Sequence, residues 1–260
     1  MLNYIRYFIK ADSNHDIHSP FIFKLVTEAF NDKSPYPVYA EIEKIRSRLL
    51  KDNTKICVED FGAGNTLLNK NNHSENERIV KDIATKSAKP AKYAQLLYRL
   101  VRFLQPQSLI EVGTSLGISG CYQAVAIPGS KFITCEGCAS IAAIAHENFN
   151  QLQIKNAEIV IGNFDNIFQQ VLNRFVTIDW IFFDGNHRKT PTLNYFYQAV
   201  KKINQNTVFI FDDINWSDEM KETWDEIKQH SSVTVSIDIY MMGIVFFNKD
   251  LSRQHFVIRY

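Results

Sequence analysis

Leu109-Ile-Glu-Val-Gly-Thr-Ser-Leu-Gly117 is an apolar run entering a turn with two glycines, and Lys131-Phe-Ile-Thr-Cys-Glu136 is a second apolar run that ends on a carboxylate. Glycines let a backbone bend tightly beneath a ligand. A carboxylate at the end of the next strand accepts hydrogen bonds from a ribose diol. The pair therefore describes a site for a nucleoside-type cofactor. A dinucleotide fingerprint needs G-x-G-x-x-G to bring a helix N-terminus onto a pyrophosphate. Here the spacing is Gly113-x-x-x-Gly117 after Glu111, which argues against a pyrophosphate.

Two further apolar runs end in acids: Ile178-Asp-Trp-Ile-Phe-Phe-Asp184-Gly-Asn-His187 and Thr207-Val-Phe-Ile-Phe-Asp212-Asp213. In an open α/β sheet ligands lie outside the carboxyl ends of the strands, so Gly113, Glu136, Asp184 and Asp212 should converge on one crevice. From residue 108 onward, runs with strand and helix patterns alternate up to about residue 229, which predicts a doubly wound parallel sheet. Val233 to Tyr240 and Met242 to Asn248 then predict a closing hairpin, and Leu251 to Tyr260 an additional strand or a tail.

On these residues the chain resembles a class I S-adenosylmethionine-dependent methyltransferase. Within that superfamily it is most similar to small-molecule O-methyltransferases, including catechol-type enzymes and the metal-dependent sugar and macrolide enzymes that carry D-x-x-H. The resemblance runs from Lys86 to Asn248. It implies an α/β, Rossmann-like fold with a mostly parallel seven-stranded sheet over residues 86–260, preceded by an N-terminal helical accessory segment, 1–85.

Carried over by motif position, the resemblance puts Glu111, Gly113, Thr114, Ser115 and Gly117 around the methionine part of S-adenosyl-L-methionine and Glu136 on its ribose. Gly162, Asn163 and Phe164 would flank the adenine. Asp184, Asp212 and Asp213 offer hard oxygen ligands to a divalent cation, with Mg2+ the natural choice. Such a cation would orient two acceptor oxygens and acidify a hydroxyl. Catechol-type enzymes have Asp-Asn where this chain has Asp212-Asp213, which leaves the metal open. Without a metal, Asp184 would contact the methionine amino group, and the Asp pair would cap the turn before the Ser217 helix. His187, three residues past Asp184, matches the histidine of D-x-x-H that serves as general base, with Asp184 beside it in the catalytic set. Tyr195, Asn215 and Trp216 are candidates for the acceptor pocket.

Other signals carry less. Asp60-Phe-Gly62-Ala-Gly64 imitates the glycine motif, but the polar stretch after it lacks a strand ending in an acid, so it reads as a surface loop or lid. Cys135-Glu-Gly-Cys138 lacks the second ligand pair that a zinc site needs, so both thiols should pack beside Glu136. His15-Asp-Ile-His18 precedes a helix cap and reads as turn chemistry.

A formal net charge of +1, with 45% hydrophobic and 22% charged residues, is that of a globular chain with no charge excess for wrapping duplex nucleic acid. The partner expected is a small-molecule acceptor. A nucleic-acid or protein acceptor would require basic residues around the crevice, for which Arg188, Lys189, Lys201 and Lys202 are candidates. A scaffold that binds cofactor without turnover is the non-enzymatic alternative. No apolar run reaches the length of a membrane span, and the four cysteines form no disulfide framework, so a cytoplasmic protein is expected. The first 85 residues are expected to cover the crevice or to make a homodimer contact.

Overall fold

The computed structural model describes residues 4, 7–9, 11, 18–58 and 77–260. Asp60–Gly64 and His15 lie outside the described residues, as does part of the N-terminal segment expected to be helical.

Before the sheet come α1 (Pro20–Leu25), running into a π-helical turn at Val26–Phe30, then α2 (Pro37–Leu49), the short antiparallel pair β1 (Lys55–Cys57) and β2 (Glu77–Ile79), α3 (Val80–Ser87) and α4 (Ala91–Leu104). Strands and helices then alternate: β3 (Ser108–Val112), α5 (Ile118–Ala126), β4 (Lys131–Glu136), α6 (Ala139–Gln151), β5 (Ala157–Ile161), α7 (Phe164–Leu172), β6 (Ile178–Phe183), α8 (Lys189–Ala199), β7 (Ile203–Asp212) and α9 (Asp218–Gln229). The chain closes with β8 (Val235–Asp238), β9 (Met242–Phe246) and β10 (Gln254–Val257).

The main sheet has the order β10-β8-β9-β7-β6-β3-β4-β5. Strands β3 to β7 pair in parallel, and β9 runs antiparallel to both β7 and β8. The seven strands expected are eight, because Gln254–Val257 adds in parallel to β8. The chain reverses direction in strand order at β3, whose neighbours are β4 and β6, and this is the topological switch point at which α/β sheets open a crevice.

The central strands are apolar on both faces because helices cover both. Alternate residues feed two separate cores. Leu109, Trp180, Phe182, Val208 and Ile210 face one cluster, while Ile110, Val112, Ile181, Phe183, Phe209 and Phe211 face the other. Ile22, Leu25, Ile42, Ile45 and Leu49 of α1 and α2 lie in the first cluster together with α4 and α5, so the N-terminal helices add to the sheet's core. The C-terminus is held there too: Tyr260 Oη accepts from Arg99 Nη2 at 2.7 Å, and Arg99 Nε donates to the Ala29 carbonyl at 2.7 Å.

Candidate functional site

At the carboxyl ends of β3, β4, β6 and β7 a cavity of about 610 Å³ opens, within the ~300–1,000 Å³ usual for small-molecule sites. Its floor is made by close backbone approach. Gly113 has φ +103°, and a Cβ there would lie 2.3 Å from the Asp184 carbonyl oxygen. Asp184 N donates to the Val112 carbonyl at 2.8 Å, which keeps the two strand ends together. Three non-glycine residues at these strand ends, Ser115, Asn186 and Asp213, also have positive φ (47°, 56° and 53°). Uncommon backbone conformations gathered at one crevice are a mark of a functional site.

Glu136 is oriented by the turn beneath it. Its Oε2 accepts from Ser115 N at 2.8 Å and its Oε1 from Cys138 N at 3.0 Å. Burial raises its pKa while these backbone N–H groups oppose the shift. Ser115 Oγ is buried with no hydrogen-bond partner among the described residues, a polar atom left for a ligand. Asn163 caps α7 by accepting from Asp165 N at 2.9 Å. Phe164 lies so close to Gly185 that a Cβ there would meet its ring at 2.7 Å. Cys135 and Cys138 are buried free thiols, and Cys138 lines the cavity beside Glu136.

Of the residues singled out in the sequence, Gly113, Ser115, Glu136, Asn163, Phe164, Asp184, His187, Asp212, Asp213 and Trp216 line this cavity. Others do not line it. Glu111 is 0% exposed and sits behind the glycine turn, where its carboxylate accepts from Thr134 Oγ1 at 2.7 Å and from Gln123 Nε2 at 2.8 Å. Thr114 Oγ1 and Thr134 Oγ1 share a hydrogen bond at 2.6 Å, so Thr114 joins the same buried network. Gly117 abuts Ala145 and Phe149, and Gly162 abuts Ile167. These four shape the turns from behind. Tyr195 is a core residue whose hydroxyl donates to Asp165 Oδ1, and Asn215 Nδ2 donates to the Tyr240 carbonyl.

Burial pushes the Glu111 pKa up to about 7. A carboxyl that stays protonated in the folded chain and ionises in the unfolded one makes stability fall as pH rises from its ordinary value, 4.5, toward 7. Melting temperatures measured from pH 5 to pH 8 should decline, and Glu111→Gln should flatten that slope. An unchanged slope would exclude the buried network as its source.

The acid cluster differs from its expected form. Asp184, His187 and Asp212 offer ligand atoms within 4.8 Å of one another, and Asp213 is not in this group. It lines the same cavity, with Oδ2 4.0 Å from His187 Nε2. Sequence reading also missed Lys89, whose ammonium lies 3.4 Å from Asp184 Oδ1 and pairs with Asp212 Oδ2. Burial pushes Asp212 up to about 7, with the Asp184 charge adding to the shift. Burial works against the Lys89 charge, but the two carboxylates outweigh it and hold its pKa above the ordinary value.

Residues 110–214, which include Gly113, Glu136, Asp184 and Asp212, match the family described as a methyltransferase domain. The strand order around that stretch is that of an open, mostly parallel α/β sheet with an antiparallel strand beside β7. Solved structures share its architecture. The O-methyltransferase TomG of Streptomyces achromogenes, involved in tomaymycin synthesis and solved with SAM, is 22% identical over 62% of this chain and 82% of its own, with a TM-score of 0.55. An O-methyltransferase of Bacillus cereus in complex with SAH is 17% identical over 87% of this chain and 97% of its own, with a TM-score of 0.56. The SAH-bound Podospora anserina methyltransferase PaMTH1 is 10% identical over 84% of this chain and 99% of its own, with a TM-score of 0.55. No curated protein matches the chain. Among the described residues, no helix is long and apolar enough to cross a membrane.

Proposed function

We propose that the domain binds S-adenosylmethionine along β3 and β4 and methylates a hydroxyl of a small molecule held over β6 and β7. The observation that carries this reading is the shared cavity, which joins the Gly113, Ser115 and Glu136 cradle to the Asp184, His187 and Asp212 cluster. Bound S-adenosylmethionine supplies a methyl group on a positive sulfur, which departs as a neutral thioether when the acceptor oxygen takes the methyl. The chain's own work is to align the two partners and to receive the hydroxyl proton. Glu136 and the Ser115 backbone hold the ribose side. Asn163 and Phe164 border the adenine, and Trp216, 74% exposed at the mouth, offers an aromatic wall to the acceptor.

His187 Nε2 receives the proton. It stands 3.8 Å from Asp184 Oδ1 and 4.0 Å from Asp213 Oδ2, and these carboxylates stabilise the positive ring that results. His187→Ala should lower kcat by about 100-fold or more and leave S-adenosylhomocysteine affinity unchanged in calorimetry. Retained turnover would remove the general-base role.

A nucleic-acid acceptor finds less support. Lys189 is engaged by Glu222 at 3.1 Å and Glu226 at 3.7 Å, and Lys202 Nζ donates to the Phe175 carbonyl at 3.0 Å. Purified protein that methylated RNA but no small phenol, sugar or acid would reverse this preference.

A further inference from the structure

The cluster around Asp184 has the donor types of a hard-cation site, since two carboxylates and an imidazole approach within 4.8 Å of one another. Its centre is nevertheless occupied by a side chain. Lys89 Nζ is 3.4 Å from Asp184 Oδ1 and is bonded to Asp212 Oδ2. A magnesium ion bridging those carboxylates would sit at about 2.0–2.1 Å from each oxygen, in the space that the ammonium takes, and like charges cannot share it. Nor is Lys89 a surface side chain that swings away freely. It is 9% exposed and follows α3 directly before Pro90, the residue that caps α4. Proline restricts the backbone of the residue before it.

We infer that the Lys89 ammonium is the resident cation of this site: it takes the seat between Asp184 and Asp212 that a divalent metal would fill, and it presents an N–H to the acceptor oxygen. An ammonium carries three donors, and the two carboxylates engage two of them. The third serves an oxygen in the cavity that Lys89 lines. A lysine is a compact point charge on a flexible stem, suited to stand in for an ion where the acids converge. The identity of that oxygen rests on the methyl-transfer reading proposed above, whereas occupancy of the cation seat does not.

The test uses Mn2+ itself and needs no acceptor. Calorimetry and the free-ion paramagnetic signal are followed on the full chain, with and without S-adenosylhomocysteine. Wild-type protein should take up no Mn2+ at the cluster. Lys89→Ala, which leaves the acids uncompensated, should bind it, at least about 100-fold more tightly than the weakest binding the wild-type measurement would detect. Lys89→Arg should stay closed to the ion. Should Lys89→Ala fail to fold, Lys89→Gln removes the charge and keeps the length. Wild-type protein that binds Mn2+ as well as the charge-removed variants would overturn the inference. So would folded variants that remain silent. Wild-type protein without affinity for S-adenosylhomocysteine would sink the methyl-transfer reading alone, since the Mn2+ comparison is readable without it.

Discussion

Gly113→Ala should be the most damaging single-methyl change in this protein. At φ +103° an L side chain is strained in any surroundings, and here the new Cβ would lie 2.3 Å from the Asp184 carbonyl oxygen and 2.8 Å from its carbon. Neither atom belongs to a side chain that can rotate away. Relief requires β3 and β6 to part at their carboxyl ends, where Asp184 N donates to the Val112 carbonyl. The expected cost is about 4 kcal/mol or more. For a chain of this size that lowers the melting temperature by roughly 10 °C. Binding of S-adenosylhomocysteine should be lost with it, because the same bend carries Ser115 N to Glu136. Gly129→Ala is the internal control: its Cβ meets nothing within 4 Å, and the change should stay within about 0.5 kcal/mol of wild type. A Gly113→Ala protein that melts like wild type would mean that this contact does not constrain the site.

The elements of this fold that were legible in the sequence are those whose apolar runs stop abruptly at a polar or glycine-bearing turn. Ser108–Val112 and Ile178–Phe183 end where the quoted apolar runs stop, because central strands covered on both faces are largely apolar. β7 starts earlier than its apolar core suggests. Ile203 pairs with Ile178 before a register irregularity, so Asn204, Gln205 and Asn206 belong to the strand although nothing in their character announces it. Gln254–Val257 extends the sheet because β8 leaves an open edge, which only the paired structure reveals.

The site was legible where a residue's position relative to a strand end fixes its location, as for Gly113, Glu136, Asp184 and Asp212. It was illegible where the direction of the side chain decides. Glu111 is two residues before Gly113, yet its carboxylate points into a buried network with Gln123, whose Oε1 accepts in turn from Trp180 Nε1 at 2.8 Å. Lys89 could not be found by spacing at all. Its partners lie 95 and 123 positions away, and only the packing of the segment between α3 and α4 over the sheet brings the ammonium to them.

Glu136→Ala should separate ligand recognition from fold. On the methyl-transfer reading proposed above, this carboxylate accepts from the ribose diol. Both of its oxygens already accept from backbone N–H groups at 2.8 and 3.0 Å, so it is fixed in place before a ligand arrives. A carboxylate has about four acceptor sites, which leaves capacity for two hydroxyls. Hydrogen bonds to a charged group are worth about 1.5–3 kcal/mol each, so losing two should weaken S-adenosylhomocysteine binding by roughly 100- to 10,000-fold. The same substitution leaves the N–H groups of Ser115 and Cys138 without their acceptor, at a stability cost of about 1–3 kcal/mol. Those N–H groups border the cavity and regain water, which keeps the cost toward the lower end. Glu136→Gln sharpens the test. Its carbonyl oxygen still accepts one backbone N–H, but its amide nitrogen cannot accept from a ribose hydroxyl or from the second N–H. Affinity should fall by roughly 10-fold, with a smaller loss of melting temperature than for alanine. Calorimetry with S-adenosylhomocysteine and with adenine alone completes the comparison. If Glu136 holds the sugar, the two variants lose affinity for the nucleoside ligand and keep whatever weak affinity wild type has for the free base. Equal losses for both ligands would point to a collapsed turn, and unchanged affinity for the nucleoside would remove Glu136 from the site.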